Sequence, residues 1–193
     1  MKYANDYSGY GNKVLYQMCN DQPLHNDIDI IVSKLWIIGR SYAASIERKA
    51  GKDFKIENAA EIIKKSNIDG YIASVKNIDR LDSSNIALSL NAHKEFTSIL
   101  KGITGIEKRS LASKYLHFHM PKAFFIYDSI ANKKIREKIR NKKSRFTITK
   151  NYDDEYEGFS LRCLYYRELF EKELGQLATP RRIDMELLGY GKF

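Results

Sequence analysis

Apolar residues recur every three or four positions along most of this chain, which is the spacing that places them on one face of an α-helix. The clearest stripe is made of six residues: Ile28, Ile31, Leu35, Ile38, Tyr42 and Ile46. Asp27 precedes the stripe as an expected N-cap, and Gly51 follows it. The pattern therefore predicts a central buried helix between these two residues.

The same periodicity predicts helices along the rest of the chain. Their expected ranges are 12–20, 56–66, 71–76, from Ser83 or Ser84 to 100, 107–119, 128–140, 153–174, and a last one that begins at Thr179-Pro180. Residues 1–11 are expected to form an irregular lead-in, and the run 146–149 has the composition of a strand but no obvious partner. The sequence predicts an all-α fold, with residues 1–193 in one helical domain that ends in the C-terminal helices of 153–193.

The net charge of the chain indicates a class of binding partner. The chain carries 33 Lys and Arg against 24 Asp and Glu, a net charge of +9. A basic protein is attracted to polyanions, so we expect a nucleic acid as partner. The most apolar stretch, residues 28–46, contains Asp29, Lys34 and Arg40, which favours a buried helix over a membrane span. With no apolar signal core at the start of the sequence, we expect a cytoplasmic protein without membrane contact.

A basic block follows position 132. The block contains a single acid, Glu137, and nine cations: Lys133, Lys134, Arg136, Lys138, Arg140, Lys142, Lys143, Arg145 and Lys150. Such a run is often just a solvated face. Because the block directly follows the motif described below, it is also a candidate to contact phosphates.

Few other chemistries fit the residues present. Cys19 and Cys163 are too few for a zinc site or an iron–sulfur cluster without other ligands, and His117 and His119 point in different directions on a helix. The chain has no phosphate-binding Gly-x-x-x-x-Gly-Lys loop, no Gly-x-Ser-x-Gly elbow and no His-Glu-x-x-His motif. We therefore expect neither a metal nor a cofactor.

The segment 100–129 is the one that suggests a reaction. Gly102 and Gly105 allow a tight turn whose backbone N–H groups can face a phosphate. Lys108 near the turn can contact that phosphate or attack a sugar C1′ through a Schiff base. After a connection that contains Pro121, Asp128 is placed to stabilise an oxocarbenium-like centre or to orient a water. Asp128 is equally explained as a simple N-cap of the next helix.

This arrangement resembles the helix-hairpin-helix DNA glycosylase superfamily, which includes endonuclease III and the 8-oxoguanine glycosylases. The resemblance covers residues 82–141, with 100–141 as the hairpin, motif helix and basic helix. The hairpin would be Leu100-Lys101-Gly102-Ile103-Thr104-Gly105 and the family's aspartate would be Asp128, with Lys108 standing 20 positions before it as the family's lysine. In a shifted register, Thr104-Gly105-Ile106-Glu107, a glutamate replaces the second glycine and Arg109 takes the lysine's place.

The resemblance implies a single orthogonal helical domain with a helix-hairpin-helix motif, which flips a modified or damaged base out of DNA and cleaves its N-glycosidic bond. The candidate catalytic residues are Asp128, Lys108 and Lys114. The candidate nucleic-acid contacts are Gly102, Thr104, Gly105, Lys108, Arg109, Ser110, Lys133, Lys134, Arg136, Lys142, Lys143 and Arg145. The candidate pocket residues are Arg40, His117, His119 and Tyr127.

Lys114 enters through a polar stripe on the motif helix. Ser110, Ser113, Lys114 and His117 share one face at helical spacing, opposite the apolar face. The stripe can line a cleft, or it can be the solvated side of an ordinary amphipathic helix. Arg40 and Glu47, at the edge of the apolar stripe, are expected to form a buried ion pair or to contribute to the site.

Two other functions remain open. The first is a non-catalytic helical module that binds DNA or RNA, or an accessory protein of a stress or anti-phage system, which the glutamate at position 107 favours. The second is a helical bundle that binds only proteins, and it predicts no salt-dependent affinity for DNA.

Overall fold

The computed structural model describes residues 10–140 and 147–190, and in these two ranges the chain is all-α, with nine helices and no strand. The helices are α1 Tyr10–Asp21, α2 Ile28–Ser41, α3 Ile56–Lys65, α4 Ile68–Ser74, α5 Ile86–Thr104, α6 Arg109–His119, α7 Ser129–Ile139, α8 Asp154–Leu174 and α9 Pro180–Leu187. The all-α prediction is confirmed. None of the helices in these ranges is long and apolar enough to cross a membrane.

Local signals set several of the helix ends. The carboxylate of Asp27 accepts from the backbone N–H groups of Asp29 and Ile30, as expected of an N-cap. Thr179 caps α9 in the same way, with Pro180 in the first turn. Gly175 ends α8 in the left-handed conformation, with a φ of 65°.

The core is organised around α2 and α6. Helix α2 packs against α1, α3 and α6, and Ile31, Leu35 and Ile38 are fully buried in these contacts. Every residue of α6 from Leu111 to Phe118 is buried, because α1, α2 and α5 surround it. The motif helix thus lies inside the protein, and its polar face is covered rather than solvated.

Helix α2 is shorter than its apolar stripe predicts. It ends at Ser41, with Tyr42 as C-cap. Ala43 then adopts a φ of 50°, and a right-handed helix cannot continue through a residue with this backbone angle. Ile46 is nevertheless buried, because the loop between α2 and α3 carries it back into the core. Gly51 therefore lies in that loop and does not end the helix.

The predicted glycine hairpin is also different. Helix α5 continues to Thr104, so Gly102 lies inside it and only Gly105, with a φ of 73°, turns the chain. The Thr104 hydroxyl donates to the carbonyl of Leu100 and accepts from the N–H of Ile106, which closes the helix end locally.

Residues 147–149 are not a strand, and the remainder of that prediction falls on Phe146, outside the described residues. Most of the predicted lead-in also lies outside them, while Tyr10 and Gly11 already belong to α1. Lys142, Lys143 and Arg145 are outside the described residues as well.

Candidate active site

A cleft of about 530 Å³ opens where the loop after α2 meets the first turns of α6 and α7. The loop contributes residues 42–45, Arg48 and Lys49, and residues 106–111 form the opposite wall. Five of the lining residues are cations, and only Glu107 and Asp128 are acids. We call this site the basic cleft.

Lys114 and Asp128 meet in the basic cleft. The Lys114 Nζ lies 3.5 Å from Asp128 Oδ2, and the lysine side chain is only 4% exposed. The amine also donates to the Ser110 hydroxyl at 2.9 Å and to the Tyr42 carbonyl at 3.2 Å. Burial lowers the pKa of Lys114, although Asp128 and Asp184 partly oppose this. A lysine in this state gives up its proton more easily and becomes a nucleophilic amine.

Asp128 has two partners at once. Its Oδ1 accepts from the Ala131 N–H at 2.8 Å, so it caps α7, while Oδ2 faces Lys114. The cap and the cleft position predicted for this carboxylate are therefore compatible. The cap fixes the side chain at the head of α7, where the helix dipole supports its negative charge.

Lys108 also lines the basic cleft, but its amine faces the opposite wall. It stands at the N-cap position of α6 and donates to the backbone carbonyls of Ser45 and Arg48 in the loop. Burial lowers its pKa as well. Of the two candidate lysines, Lys114 is the one whose amine faces the carboxylate.

Ion pairs surround the turn between α5 and α6. Glu107 pairs with Lys101 at 3.0 Å and with Arg109, and the Arg109 Nε lies 2.6 Å from Asp153 Oδ2. The hydrogen bond from Lys101 lowers the pKa of Glu107, so the glutamate stays charged. Gly105 therefore lies in a turn beside paired charges, whereas Gly102 and Thr104 belong to α5.

Tyr127 is the pocket candidate that does line the basic cleft. Its hydroxyl donates to Glu155 at 3.2 Å, and burial together with that carboxylate raises the pKa of Tyr127 to about 12. Ser110 lines the cleft too, as the acceptor for Lys114. Ser113 is buried beneath the cleft, where its hydroxyl accepts from the Tyr127 N–H.

The other three pocket candidates are elsewhere. His117 is buried and bonds the Phe124 carbonyl and the Tyr16 hydroxyl, so it ties α6 to its neighbours. His119 lines a separate cavity of about 690 Å³ beside α1. Arg40 is 63% exposed, stacks on Trp36, and lies 3.8 Å from Glu47; the pair is not buried and not in the cleft. The structure does not bring these three residues together with Lys114 and Asp128, because the spacing of residues does not show which face of a helix a neighbour covers.

The basic face of α7 points to solvent. Lys133, Lys134 and Arg136 are exposed, and the contacts of Lys134 with Glu137 and of Arg136 with Glu155 are long, at 3.7 and 3.9 Å. They extend the positive rim outward from Asp128 along the helix.

Sequence reasoning missed the residues that close the cleft from distant elements. Tyr42, Arg48 and Lys49 come from the loop after α2, and Asp184 acts on Lys114 from α9. Asp184 carries a signal that could have been noticed: it stands three positions before Leu187, on the apolar side of its helix. An acid on an apolar face is uncommon unless it is paired or functional.

Among the described residues, no three or more His, Cys, Asp or Glu side chains are grouped so that they could hold a metal ion. Comparison with protein-family models, with curated proteins and with solved structures returns no match for this chain. The groups in the basic cleft that can act chemically are Lys114, Asp128 and the cations around them.

Proposed function

We propose that this chain is a DNA glycosylase that takes a modified or damaged nucleotide into the basic cleft and cleaves its N-glycosidic bond. The observation that carries the proposal is the buried Lys114 amine, 3.5 Å from the Asp128 carboxylate, in a cleft lined mainly by cations. A base inside a duplex is not reachable by such a pair, so the nucleotide has to be extruded from the stack.

The two side chains divide the reaction between them. Lys114, once it has lost a proton, attacks the sugar C1′ with its lone pair; the bond from C1′ to the base nitrogen breaks, and the base leaves with the bonding electrons and takes up a proton. Asp128 stabilises the positive charge that develops at C1′. Opening of the sugar ring then gives a Schiff base between Lys114 and C1′, which water hydrolyses.

The cations around the cleft bind the DNA backbone. Arg48, Lys49 and Lys108 line the cleft itself, and Lys133 and Lys134 continue the positive surface along α7. Phosphate contacts of this kind position the strand and carry no sequence information. The choice of base is made inside the cleft, beside Tyr127.

Trapping with borohydride tests the proposal, because it reduces a Schiff base to a stable covalent complex. The probes are duplexes that contain one uracil, hypoxanthine, 8-oxoguanine or an abasic site. We expect the wild-type chain to form the complex, Lys114→Gln to form none, and Lys108→Gln to bind more weakly yet still form it at saturating protein. Complex formation by Lys114→Gln, or neither complex nor base release from any probe by the wild type, would contradict the proposal.

A second function, nucleic-acid binding without chemistry, is favoured by the glutamate at position 107. Glu107 pairs with Lys101 and with Arg109, so it competes with a phosphate for these two cations. It predicts affinity that falls steeply with salt but no trapped complex. Lys133→Gln, Lys134→Gln and Arg136→Gln together should reduce the salt slope by about 2.7, at about 0.9 per phosphate contact. Gln at Lys52, Lys64 and Lys76, exposed lysines of the α3–α4 region, is the matched control.

A further inference from the structure

Trp36 is the single tryptophan of the sequence, and it lies on the solvent side of α2, 51% exposed. The guanidinium carbon of Arg40, one helical turn further on, lies 5.4 Å from the centre of the Trp36 ring, and the arginine side chain is 63% exposed. A lone exposed apolar side chain is ordinary on a protein surface. An exposed indole beside an exposed guanidinium, however, is a combination on which nucleic-acid bases stack.

The loop after α2 joins Trp36 and Arg40 to the rim of the basic cleft. The Arg40 Nη2 lies 3.8 Å from Glu47 Oε1, and Glu47 accepts from the Ser45 hydroxyl. Ser45 lines the cleft, and its backbone carbonyl accepts from Lys108 at 3.5 Å. Because an α-helix rises about 1.5 Å per residue, Trp36 lies only about 8 Å along α2 from the last residue of that helix. The indole, the guanidinium and the cleft therefore share one continuous surface.

This surface is positive towards the cleft and negative at its far end. Arg40, Arg48 and Lys49 are exposed at the cleft end, and the last two line the cleft itself. Asp29 is exposed two helical turns before Trp36, in the first turn of α2. A strand that leaves the basic cleft thus meets cations as far as Arg40 and an acid beyond the indole. The charge distribution favours a polyanion whose contact with α2 is short and ends at Trp36.

We propose that Trp36 and Arg40 form a stacking platform for an unpaired nucleotide of the strand that the basic cleft holds. The base lies on the Trp36 ring, and Arg40 contacts the adjoining phosphate. A base in an intact duplex is stacked between its neighbours and has no free face for the indole, so the platform favours single-stranded or locally opened DNA. The position of the strand in the cleft rests on the proposed function, whereas stacking on Trp36 requires no reaction.

The intrinsic fluorescence of Trp36 tests the platform, because no other tryptophan contributes to the signal. The probes are an oligothymidylate, a strand of equal length made only of abasic sites, and the oligothymidylate paired with oligodeoxyadenylate. We expect strong quenching by the first probe alone, because the abasic strand has the same phosphates but no bases and the duplex has no unpaired base. Equal quenching by the thymidylate and abasic strands overturns the proposal. So does the absence of quenching by oligothymidylate, whether or not fluorescence anisotropy shows that it binds.

Substitutions separate stacking from charge. Trp36→Leu keeps an apolar side chain but removes the ring, so affinity for oligothymidylate should fall by about 5–100-fold with an unchanged salt slope. Arg40→Gln should reduce the salt slope by about 0.7, the contribution of one phosphate of a single strand. The matched controls are Tyr190→Leu, an aromatic residue that is 68% exposed, and Lys65→Gln, a lysine that pairs with one glutamate as Arg40 does. A loss of affinity for Trp36→Leu no larger than that for Tyr190→Leu contradicts the platform.

The platform and the proposed reaction fail by different measurements. Lys114→Gln, which removes the trapped complex, should leave the quenching of Trp36 as it is in the wild type. Quenching by oligothymidylate without borohydride trapping of any damaged duplex would refute the glycosylase and support the platform. Trapping by the wild type without quenching would refute the platform and leave the reaction in place.

Discussion

The turn between α5 and α6 and the basic cleft differ in how far their charged side chains are buried. At the turn, the side chains of Lys101 and Glu107 are 55% and 38% exposed, and they form an ion pair that is open to water. In the basic cleft, Lys114 is 4% exposed and is held by Asp128, Ser110 and the Tyr42 carbonyl. The residue types are the same, but only the second lysine is desolvated. Burial, rather than residue type or spacing, distinguishes a reactive lysine from an ordinary one.

The largest expected effect is on base release, and it distinguishes the basic cleft from the turn. Asp128→Asn keeps an N-cap for α7 but removes the negative charge beside Lys114, so base release should fall by roughly 10²–10⁴-fold while DNA affinity is retained. Single-turnover base release and fluorescence anisotropy measure the two quantities. Asp27→Asn is the control, since Asp27 caps α2 and is exposed. Unchanged base release in Asp128→Asn would show that the carboxylate serves only as a cap.

The free energy of unfolding should also respond differently to substitutions in the basic cleft and in the turn. Asp128→Ala removes a helix cap and leaves the Lys114 ammonium without its carboxylate, which together should lower the free energy of unfolding by about 3 kcal/mol. Glu107→Ala removes exposed pairs only and should cost less than about 1 kcal/mol. Urea denaturation with an unchanged slope measures both. Equal costs would mean that the Lys114–Asp128 pair is hydrated like the surface turn.

A smaller effect concerns His117, which lies on the same buried polar face of α6 as Lys114. Burial lowers the pKa of His117 to about 3 and that of His93 to about 4, below the ordinary 6.5. The unfolded chain therefore binds more protons than the folded one below pH 6.5, and stability must fall as the pH drops toward those values. His117→Gln should reduce this slope between about pH 4 and 6 by about 1.4 kcal/mol per pH unit. A slope that stays the same would mean that His117 is protonated in the folded protein.

Local signals explain what could be predicted from the sequence. The apolar stripe of α2, the caps at Asp27, Asp128 and Thr179, and the end of α8 at Gly175 depend on neighbours within one or two turns, and the structure confirms them. The end of α2 could not be predicted because Ile46 continues the stripe from a loop.

The site depended on contacts between distant positions. Lys108 has the spacing to Asp128 that the resemblance to DNA glycosylases implies, yet the loop after α2 binds its amine. Lys114 is brought to the carboxylate by the way α6 is buried. Tyr42 lies 72 positions from Lys114, and Asp184 belongs to the last helix. No pattern along the chain encodes which helices cover the polar face of α6. The sequence therefore could not decide whether this face lines a cleft or is exposed to solvent.

The smallest expected effect tests whether the turn touches DNA at all. Glu107→Gln keeps the shape of the side chain but releases Lys101 and weakens the hold on Arg109, which stays paired with Asp153. If the turn lies against a phosphate, affinity should rise about 2–5-fold and the salt slope should steepen by up to about 0.9. Glu61→Gln is the matched control, because Glu61 pairs with Lys65 on α3 at 3.2 Å and its loss changes the net charge equally. A larger gain for Glu107→Gln than for Glu61→Gln places the backbone of the nucleic acid at the turn. Equal gains would reflect net charge alone, and the DNA would then be held by the basic cleft and α7, with the turn acting only as the link that aims α6 at Asp128.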